Sequence, residues 1–233
     1  MGAARLILIE GMIGSGKTTT AVRVGDWLAR QGENARVFLE GAADHPVRTR
    51  AEDRLRAADG LQPPGAPGSP AGGGPGDYPD DQWLRLAERC LRGPQAIILE
   101  GSFLQNSVMP AFIEGAPART VSETFTGIVS QVAPAGPLLV YLRPADPGAA
   151  IARIHRIRGE PWSSRNVAFV EASPWARLRN LRGLDAVVGL YQAWEPVVTR
   201  LYSRYPFPKV MVTDPQDDWQ AALARICACI IDG

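Results

Sequence analysis

The sequence has 233 residues, of which 45% are hydrophobic and 21% are charged, and its formal net charge is +1. This length and apolar content suit a single domain, residues 1–233, with a sizeable buried core. A charge this close to zero argues against nucleic acid or a membrane surface as the main partner. No apolar run reaches the ~18 residues of a membrane span and no signal peptide precedes the first predicted strand, so we expect a soluble cytoplasmic protein.

A glycine-rich motif follows an apolar run at residues 6–9 that predicts a strand. Residues 11–18 fit G-x-x-x-x-G-K-[ST], the phosphate-binding P-loop pattern, without a mismatch. The glycines allow successive N–H groups to face a phosphate, and the helix predicted over residues 19–30 adds its positive dipole end. The alternative is an accidental glycine turn. The residues expected to bind ATP here are Gly11, Met12, Ile13, Gly14, Ser15, Gly16, Lys17, Thr18 and Thr19.

Within this motif, two side chains carry specific expectations. The spacing places Lys17 to reach the β- and γ-phosphates and Thr18 to put its hydroxyl on Mg²⁺. The chain contains only one other lysine, Lys209, because its basic residues are almost all arginine. A lysine retained at position 17 in this background is consistent with a specific task.

Short apolar strands alternate with amphipathic helices along the rest of the chain. This order predicts a doubly wound parallel α/β sheet, with a ligand at the carboxyl ends of its strands. Residues 59–77 are rich in glycine and proline and predict a mobile surface loop. Thr120 and Glu123 predict a capping box for a helix. Further strands are predicted at residues 35–39, 96–99, 137–142 and 210–213, and further helices at residues 80–92, 178–205 and 217–231.

Two glutamates directly follow predicted strands. Glu40 and Glu100 each precede a glycine, at the edge of the sheet that carries the glycine-rich motif. Phosphoryl transfer needs an acid that organises Mg²⁺ and a group that accepts the proton of the acceptor, and two carboxylates match these tasks. A solvated loop carboxylate or a helix cap is the alternative for each. Glu10 is a third candidate, with a bond to the loop backbone as its alternative.

Other polar residues near these strand ends are weaker candidates. Fixed cations stabilise the charge that develops on a transferring phosphate, so at least one of Arg153, Arg156 and Arg158 is expected to contact phosphate; a solvated basic face is the alternative. His45, Gln105 and Asn106 follow the two glutamates closely and could bind the acceptor. A packed or surface histidine and solvated amides are the alternatives.

Taken together, the motifs resemble the deoxynucleoside kinase and thymidylate kinase group of P-loop kinases. The similarity starts at LILIEGMIGSGKTTT and continues in order through VFLE, AIILEGS, YLRPADPGAAIARIHRIRG and VMVTDPQDDW. It implies a three-layer α/β/α P-loop fold with a five-stranded parallel sheet in the order 2-3-1-4-5. It also implies an arginine-bearing lid at residues 143–166.

The resemblance also implies roles for individual residues. Glu40 would contact the acceptor hydroxyl and act as base, and Glu100 would serve the metal. Arg153 and Arg158 would bind phosphate from the lid. The loop with Asp214 and Pro215 would line the adenine.

The chain departs from this group at two positions. Gly41 stands where those kinases usually have proline, and Gly101 stands where they have an arginine that grips the acceptor phosphate or the transferring group. The combination of LEG, DHP and LEGSFLQN is more similar to uncharacterised bacterial P-loop small-molecule kinases. The resemblance therefore does not name an acceptor.

We therefore predict an enzyme that uses ATP and Mg²⁺ to move the γ-phosphate to a small-molecule acceptor, through a hydroxyl group. One alternative is a nucleoside or nucleotide kinase proper. Another is a nucleotide switch that hydrolyses ATP without a small-molecule acceptor. The sequence leaves the acceptor unnamed and a homodimer open.

Overall fold

The computed structural model describes residues 4–48 and 81–232. Five strands in this part of the chain form one sheet in the order β2-β3-β1-β4-β5, and all neighbouring strands are parallel. The predicted α/β class and strand order are therefore confirmed. The strands are β1 (Leu6–Gly11), β2 (Ala35–Phe38), β3 (Ala96–Glu100), β4 (Leu138–Arg143) and β5 (Lys209–Thr213).

The central strand β1 shows why the sheet is covered on both faces. All six of its residues are buried. Successive side chains of a strand point to opposite faces, so Leu6 and Leu8 join one hydrophobic cluster while Ile7 and Ile9 join another. A parallel strand that is buried on both faces is a continuous apolar run, which is the pattern that the sequence shows here.

Helices provide the two covering layers. α1 and α9 share one cluster with Ile7 and Ile9, and residues from most of the other helices belong to the second cluster. A π-helical turn, Leu104–Val108, follows β3. The helices of the described residues are α1 (Lys17–Arg30), α2 (Gln82–Arg92), α3 (Met109–Ile113), α4 (Ala118–Val132), α5 (Pro147–Arg158), α6 (Trp162–Glu171), α7 (Pro174–Arg177), α8 (Gly183–Arg204) and α9 (Trp219–Asp232).

The predicted capping box at the start of α4 is wrong. α4 begins at Ala118, since the chain enters it from Pro117 with an extended ψ of 149° and no described side chain caps it. Thr120 therefore lies inside the first turn. Glu123 instead pairs with Arg119 one turn earlier, with 2.7 Å between Oε1 and Nε.

Other boundaries also differ from the predictions. The long helix predicted over residues 178–205 begins only at Gly183, and Pro196 lies inside it. The predicted glycine- and proline-rich loop at residues 59–77 lies outside the described residues. Among the helices of residues 4–48 and 81–232, none combines the length and apolar character that a membrane crossing requires.

The side chain of Lys209 caps the C-terminal end of α8. Its Nζ donates to the carbonyls of Tyr202, Ser203 and Tyr205 at 2.8, 2.9 and 2.8 Å. The last carbonyls of a helix lack partners within it, and a cation there also interacts favourably with the helix dipole. We expect Lys209→Ala to lower the free energy of unfolding by about 2 kcal/mol, as measured by urea denaturation.

The matched control for Lys209 is Arg204, an exposed cation in the last turn of the same helix. Arg204→Ala is expected to change stability by no more than about 0.5 kcal/mol. Equal losses in the two variants would contradict a specific capping role for Lys209.

Candidate active site

The glycine-rich loop of residues 11–18 joins β1 to α1. Gly11 and Gly16 adopt positive φ angles of 153° and 96°. A Cβ at Gly11 would lie 2.4 Å from the carbonyl oxygen of Leu142, and one at Gly16 would lie 2.7 Å from the Trp219 ring. Both positions therefore require glycine, and the loop is held tightly against its neighbours.

Lys17 lies at the start of α1 with its side chain only 6% exposed. Its Nζ donates to the carbonyl of Met12 at 3.1 Å and lies 4.0 Å from Oε1 of Glu100. An ammonium group has three donors, and a buried one is stable only when its charge is met. The ammonium group of Lys17 thus lies at the N-terminus of a helix and can donate further hydrogen bonds to a ligand.

Three hydroxyl groups in or directly after the loop suit a ligand with acceptor oxygens. The Oγ of Ser15 is buried and has no hydrogen-bond partner among the described residues. Such a group costs free energy unless a ligand satisfies it. Thr18 and Thr19 are exposed on the first turn of α1. The free N–H groups of that turn favour an anion, so this loop fits a phosphate group.

The described residues contain no group of three or more His, Cys, Asp or Glu placed to hold a metal ion. Mg²⁺ at phosphate sites needs only one or two protein ligands, since phosphate oxygens and waters complete its shell. The exposed Thr18 hydroxyl and the Glu100 carboxylate beside Lys17 fit that smaller requirement.

The two strand-end glutamates are bonded to one another. Oε2 of Glu100 accepts the backbone N–H of Glu40 at 2.9 Å. The Glu40 carboxylate accepts Nε2 of Gln105 at 3.1 and 3.2 Å and Nδ2 of Asn106 at 3.2 Å. Burial raises the pKa of Glu40, while Lys17 lowers it and Glu100 raises it. The neighbouring strands β2 and β3 thus place two carboxylates beside Lys17.

Glu10 ties β1 to the segment that follows β3. Its Oε1 accepts the backbone N–H of Phe103 at 2.7 Å, and its Oε2 accepts that of Gln105 at 3.1 Å. Complete burial raises the pKa of Glu10 to about 7, although these bonds and Lys17 lower it. The sequence left open that Glu10 bonds to the backbone of the glycine-rich loop. Glu10 does bond to backbone, but to that of the turn after β3.

This raised pKa has a consequence for stability. Between pH 4.5 and about pH 7 the folded protein keeps a proton on Glu10 that the unfolded chain has released, so stability falls as the pH rises through this window. We expect a fall of about 3 kcal/mol, since one pKa unit corresponds to about 1.4 kcal/mol. Urea denaturation across the window measures it.

Glu10→Gln should remove the part of this pH dependence that comes from Glu10, because the amide does not titrate. The matched control is Glu123→Gln, which changes an exposed glutamate of α4 and should keep the wild-type slope. An unchanged slope in Glu10→Gln would show that other groups cause the effect.

Both ring nitrogens of His45 form hydrogen bonds within the protein. Its Nε2 lies 2.9 Å from Oγ of Ser102, and its Nδ1 is bonded to the backbone of Val47. The ring also packs edge-on against Phe38. These contacts tie the loop after β2 to the loop after β3 and give His45 a supporting position. A role for His45 at the acceptor stays a prediction.

Arg153 and Arg158, which the resemblance assigns to a lid, have different surroundings in the structure. Arg153 on α5 donates from Nη2 to the carbonyl of Gly14 at 3.2 Å. Arg158 is exposed at the end of α5, with its guanidinium 5.8 Å from the centre of the Trp162 ring. Arg153 thus reaches the glycine-rich loop, whereas a role for Arg158 stays a prediction.

The loop after β5 contacts the same carbonyl through a residue that sequence reasoning missed. Nε2 of Gln216 donates to Gly14 at 2.9 Å. Asp214 and the buried Pro215 lie just before it, and the Asp214 carboxylate accepts the backbone N–H of Ala145 at 3.1 and 3.2 Å. The motif located the loop, but nothing in it marked Gln216.

Tyr191 on α8 was also missed. Its hydroxyl is hydrogen-bonded to the backbone of Ile13 and lies close enough to Glu40 for that carboxylate to raise its pKa, although burial is the larger cause. A tyrosine within the apolar repeat of a helix has the pattern of a core residue, so no sequence signal distinguishes it.

Comparisons with known proteins add no function. A scan of protein-family models found no match, and neither did a search of curated proteins. A search of solved structures found a protein described as "Crystal structure of APE1195", with a TM-score of 0.43 and 16% sequence identity, over 99% of this chain and 96% of that one. A likeness this distant carries no argument.

Proposed function

We propose that this protein is a P-loop phosphotransferase that moves the γ-phosphate of ATP to a hydroxyl of a small-molecule acceptor. One observation supports this above all: Glu40 and Glu100, from neighbouring strands, are bonded together beside Lys17 in a glycine-rich loop. Nucleotide binding alone would need the loop and the lysine. A second carboxylate, supported by two side-chain amides, is what an acceptor needs.

At the nucleotide end, the glycine-rich loop would hold the phosphates through its backbone N–H groups and Lys17. Thr18 and Glu100 would hold Mg²⁺, directly or through water, and the ion would offset phosphate charge. The carbonyl of Met12 already holds the ammonium group of Lys17 within the loop. Such prearranged charge is the main source of catalysis in phosphoryl transfer.

At the acceptor end, Glu40 would take the proton of the hydroxyl. Burial raises the pKa of this carboxylate, which makes its deprotonated form a stronger base than an ordinary glutamate. Gln105 and Asn106 hold the carboxylate in place by donating to its oxygens. Oε1 of Glu40 already accepts from both amides, whereas Oε2 accepts only from Gln105, so Oε2 can accept a further hydrogen bond.

The region of residues 143–166 would form the lid of a three-layer P-loop fold. α5 lies against the loop through Arg153, the first candidate to meet a transferring phosphate. A lid excludes water, which favours transfer to an acceptor over hydrolysis.

Acceptor-dependent ADP release tests the proposal. Nucleosides, nucleotides, sugars and aminoglycoside-like compounds would be screened with MgATP. Turnover that rises only when a particular compound is added would support the phosphotransferase. Full turnover without any acceptor, unchanged by every compound, would instead favour an ATP-hydrolysing nucleotide switch.

A further inference from the structure

A small gap lies beside Gly101, directly after β3. Gly101 has a φ of +71°, and a Cβ built there would lie 3.4 Å from Cε of Lys17, 3.6 Å from Oε2 of Glu40 and 3.9 Å from Nε2 of Gln105. The glycine therefore leaves room for at least a methyl-sized group, and the nearest neighbours of that space are three of the groups in the candidate active site. We call this space the Gly101 gap.

Gln105 presents an unused acceptor in this region. Its Nε2 donates to both oxygens of Glu40, which fixes the orientation of the amide. Its Oε1 is buried and has no hydrogen-bond partner among the described residues. A buried carbonyl oxygen without a donor costs free energy, and an O–H or N–H group of a ligand would recover it.

The surrounding charge disfavours an anion. Glu10 and Glu40 each interact electrostatically with Lys17 and with Glu100. Two of these carboxylates, Glu40 and Glu100, lie beside the one lysine, and Gly101 supplies no charge of its own. A phosphate or carboxylate in the gap would lie against Glu40, where like charges repel.

We propose that the Gly101 gap is the acceptor subsite, and that it takes an uncharged or cationic polyol or amino alcohol rather than a phosphorylated compound. The reacting hydroxyl donates to Glu40, and a second O–H or N–H group donates to Oε1 of Gln105. In the transfer, this hydroxyl gives its proton to Glu40 and its oxygen bonds to the γ-phosphorus. The bond from that phosphorus to ADP breaks, and ADP leaves with the electron pair. The transfer step rests on the proposed function, whereas the binding preference does not.

Nuclear magnetic resonance on the full chain, labelled with nitrogen-15, tests the preference. The probes are 2-amino-1,3-propanediol, glycerol and glycerol 3-phosphate, which share one carbon skeleton and differ in charge. We expect the aminodiol and glycerol to shift the Gly101 backbone signal and the Gln105 side-chain signal. We expect glycerol 3-phosphate to bind at least about tenfold more weakly than the aminodiol, because of like-charge repulsion.

Variants locate the binding. Gly101→Ala fills the gap, and Gln105→Leu removes the amide without altering the backbone angle at Gly101; each should abolish the shifts caused by the aminodiol. The control is Gly32→Ala, since Gly32 has a similar φ of +79° and no atom within 4 Å of its would-be Cβ. It matches the backbone strain of Gly101→Ala and should leave the shifts unchanged.

The outcomes separate this inference from the proposed function. Shifts of residues 11–18 on addition of MgATP report the nucleotide site, and shifts at Gly101 and Gln105 report the acceptor subsite. Preferential binding of glycerol 3-phosphate would overturn the inference. It would also be overturned if none of the three probes caused shifts, or if the aminodiol still shifted the Gly101 signal in Gln105→Leu. Failure of MgATP to bind would overturn the proposed function while leaving a demonstrated probe preference in place.

Discussion

Lys17→Ala is expected to lower the rate of ATP turnover by about 10³-fold and to weaken ATP binding, with the fold intact. The variant loses the buried ammonium that would meet the β- and γ-phosphates. It also leaves Glu100 without its cationic neighbour and removes a charge that lowers the pKa of Glu40. Calorimetric titration with MgATP, ADP release and circular dichroism together measure these effects.

The other lysine of the chain provides the matched control. Lys209→Ala removes the same kind of side chain, but from the end of α8, where its partners are three backbone carbonyls. It is expected to lose stability and keep its affinity for ATP. If Lys17→Ala bound and turned over ATP like the wild type, the phosphate-binding role of the glycine-rich loop would be refuted.

Glu40→Gln is expected to reduce the transfer rate by about 10²–10⁴-fold, the usual range for loss of a general base, while MgATP binding is unchanged. The base works only when deprotonated. Since burial raises the pKa of Glu40, the wild-type rate should fall as the pH drops through that raised value. The variant should lack this decline, and pH–rate profiles with an identified acceptor would measure it.

Glu100→Gln provides the contrast. The amide keeps an oxygen that can accept the backbone N–H of Glu40, so the geometry should persist while the negative charge is lost. A higher Mg²⁺ concentration should then be needed for the half-maximal rate. If Glu40→Gln weakened MgATP binding and Glu100→Gln did not, the two roles would be reversed; if neither mattered, the proposed transfer site would be wrong.

The parts of the fold that local sequence determines could be predicted. The apolar run at residues 6–9 and the glycine pattern at residues 11–18 predict a strand, a turn and a helix start, because burial and backbone freedom act over a few residues. The strand ends at Glu40 and Glu100 follow from the same reasoning, since parallel strands place their carboxyl ends at one edge.

The remaining features depend on contacts between distant residues. Glu10 accepts N–H groups from the turn more than 90 positions along the chain, and its chemistry gives no sign of which backbone it meets. Arg153 and Arg158 differ only in where α5 places them. The capping motif at Thr120 satisfied a local rule, but Pro117 had already set the start of the helix.

Gln105 contacts two regions that the proposed transferase would have to coordinate. Its backbone N–H is held by Glu10, immediately before the glycine-rich loop, and its side chain holds Glu40. A ligand that shifts Glu10 at the end of β1 would therefore also shift Gln105, and through it the Glu40 carboxylate after β2. Linkage is reciprocal, so whatever factor nucleotide binding applies to acceptor affinity, the acceptor applies to nucleotide affinity. In the proposed transferase, this coupling would run through one side chain and its own backbone.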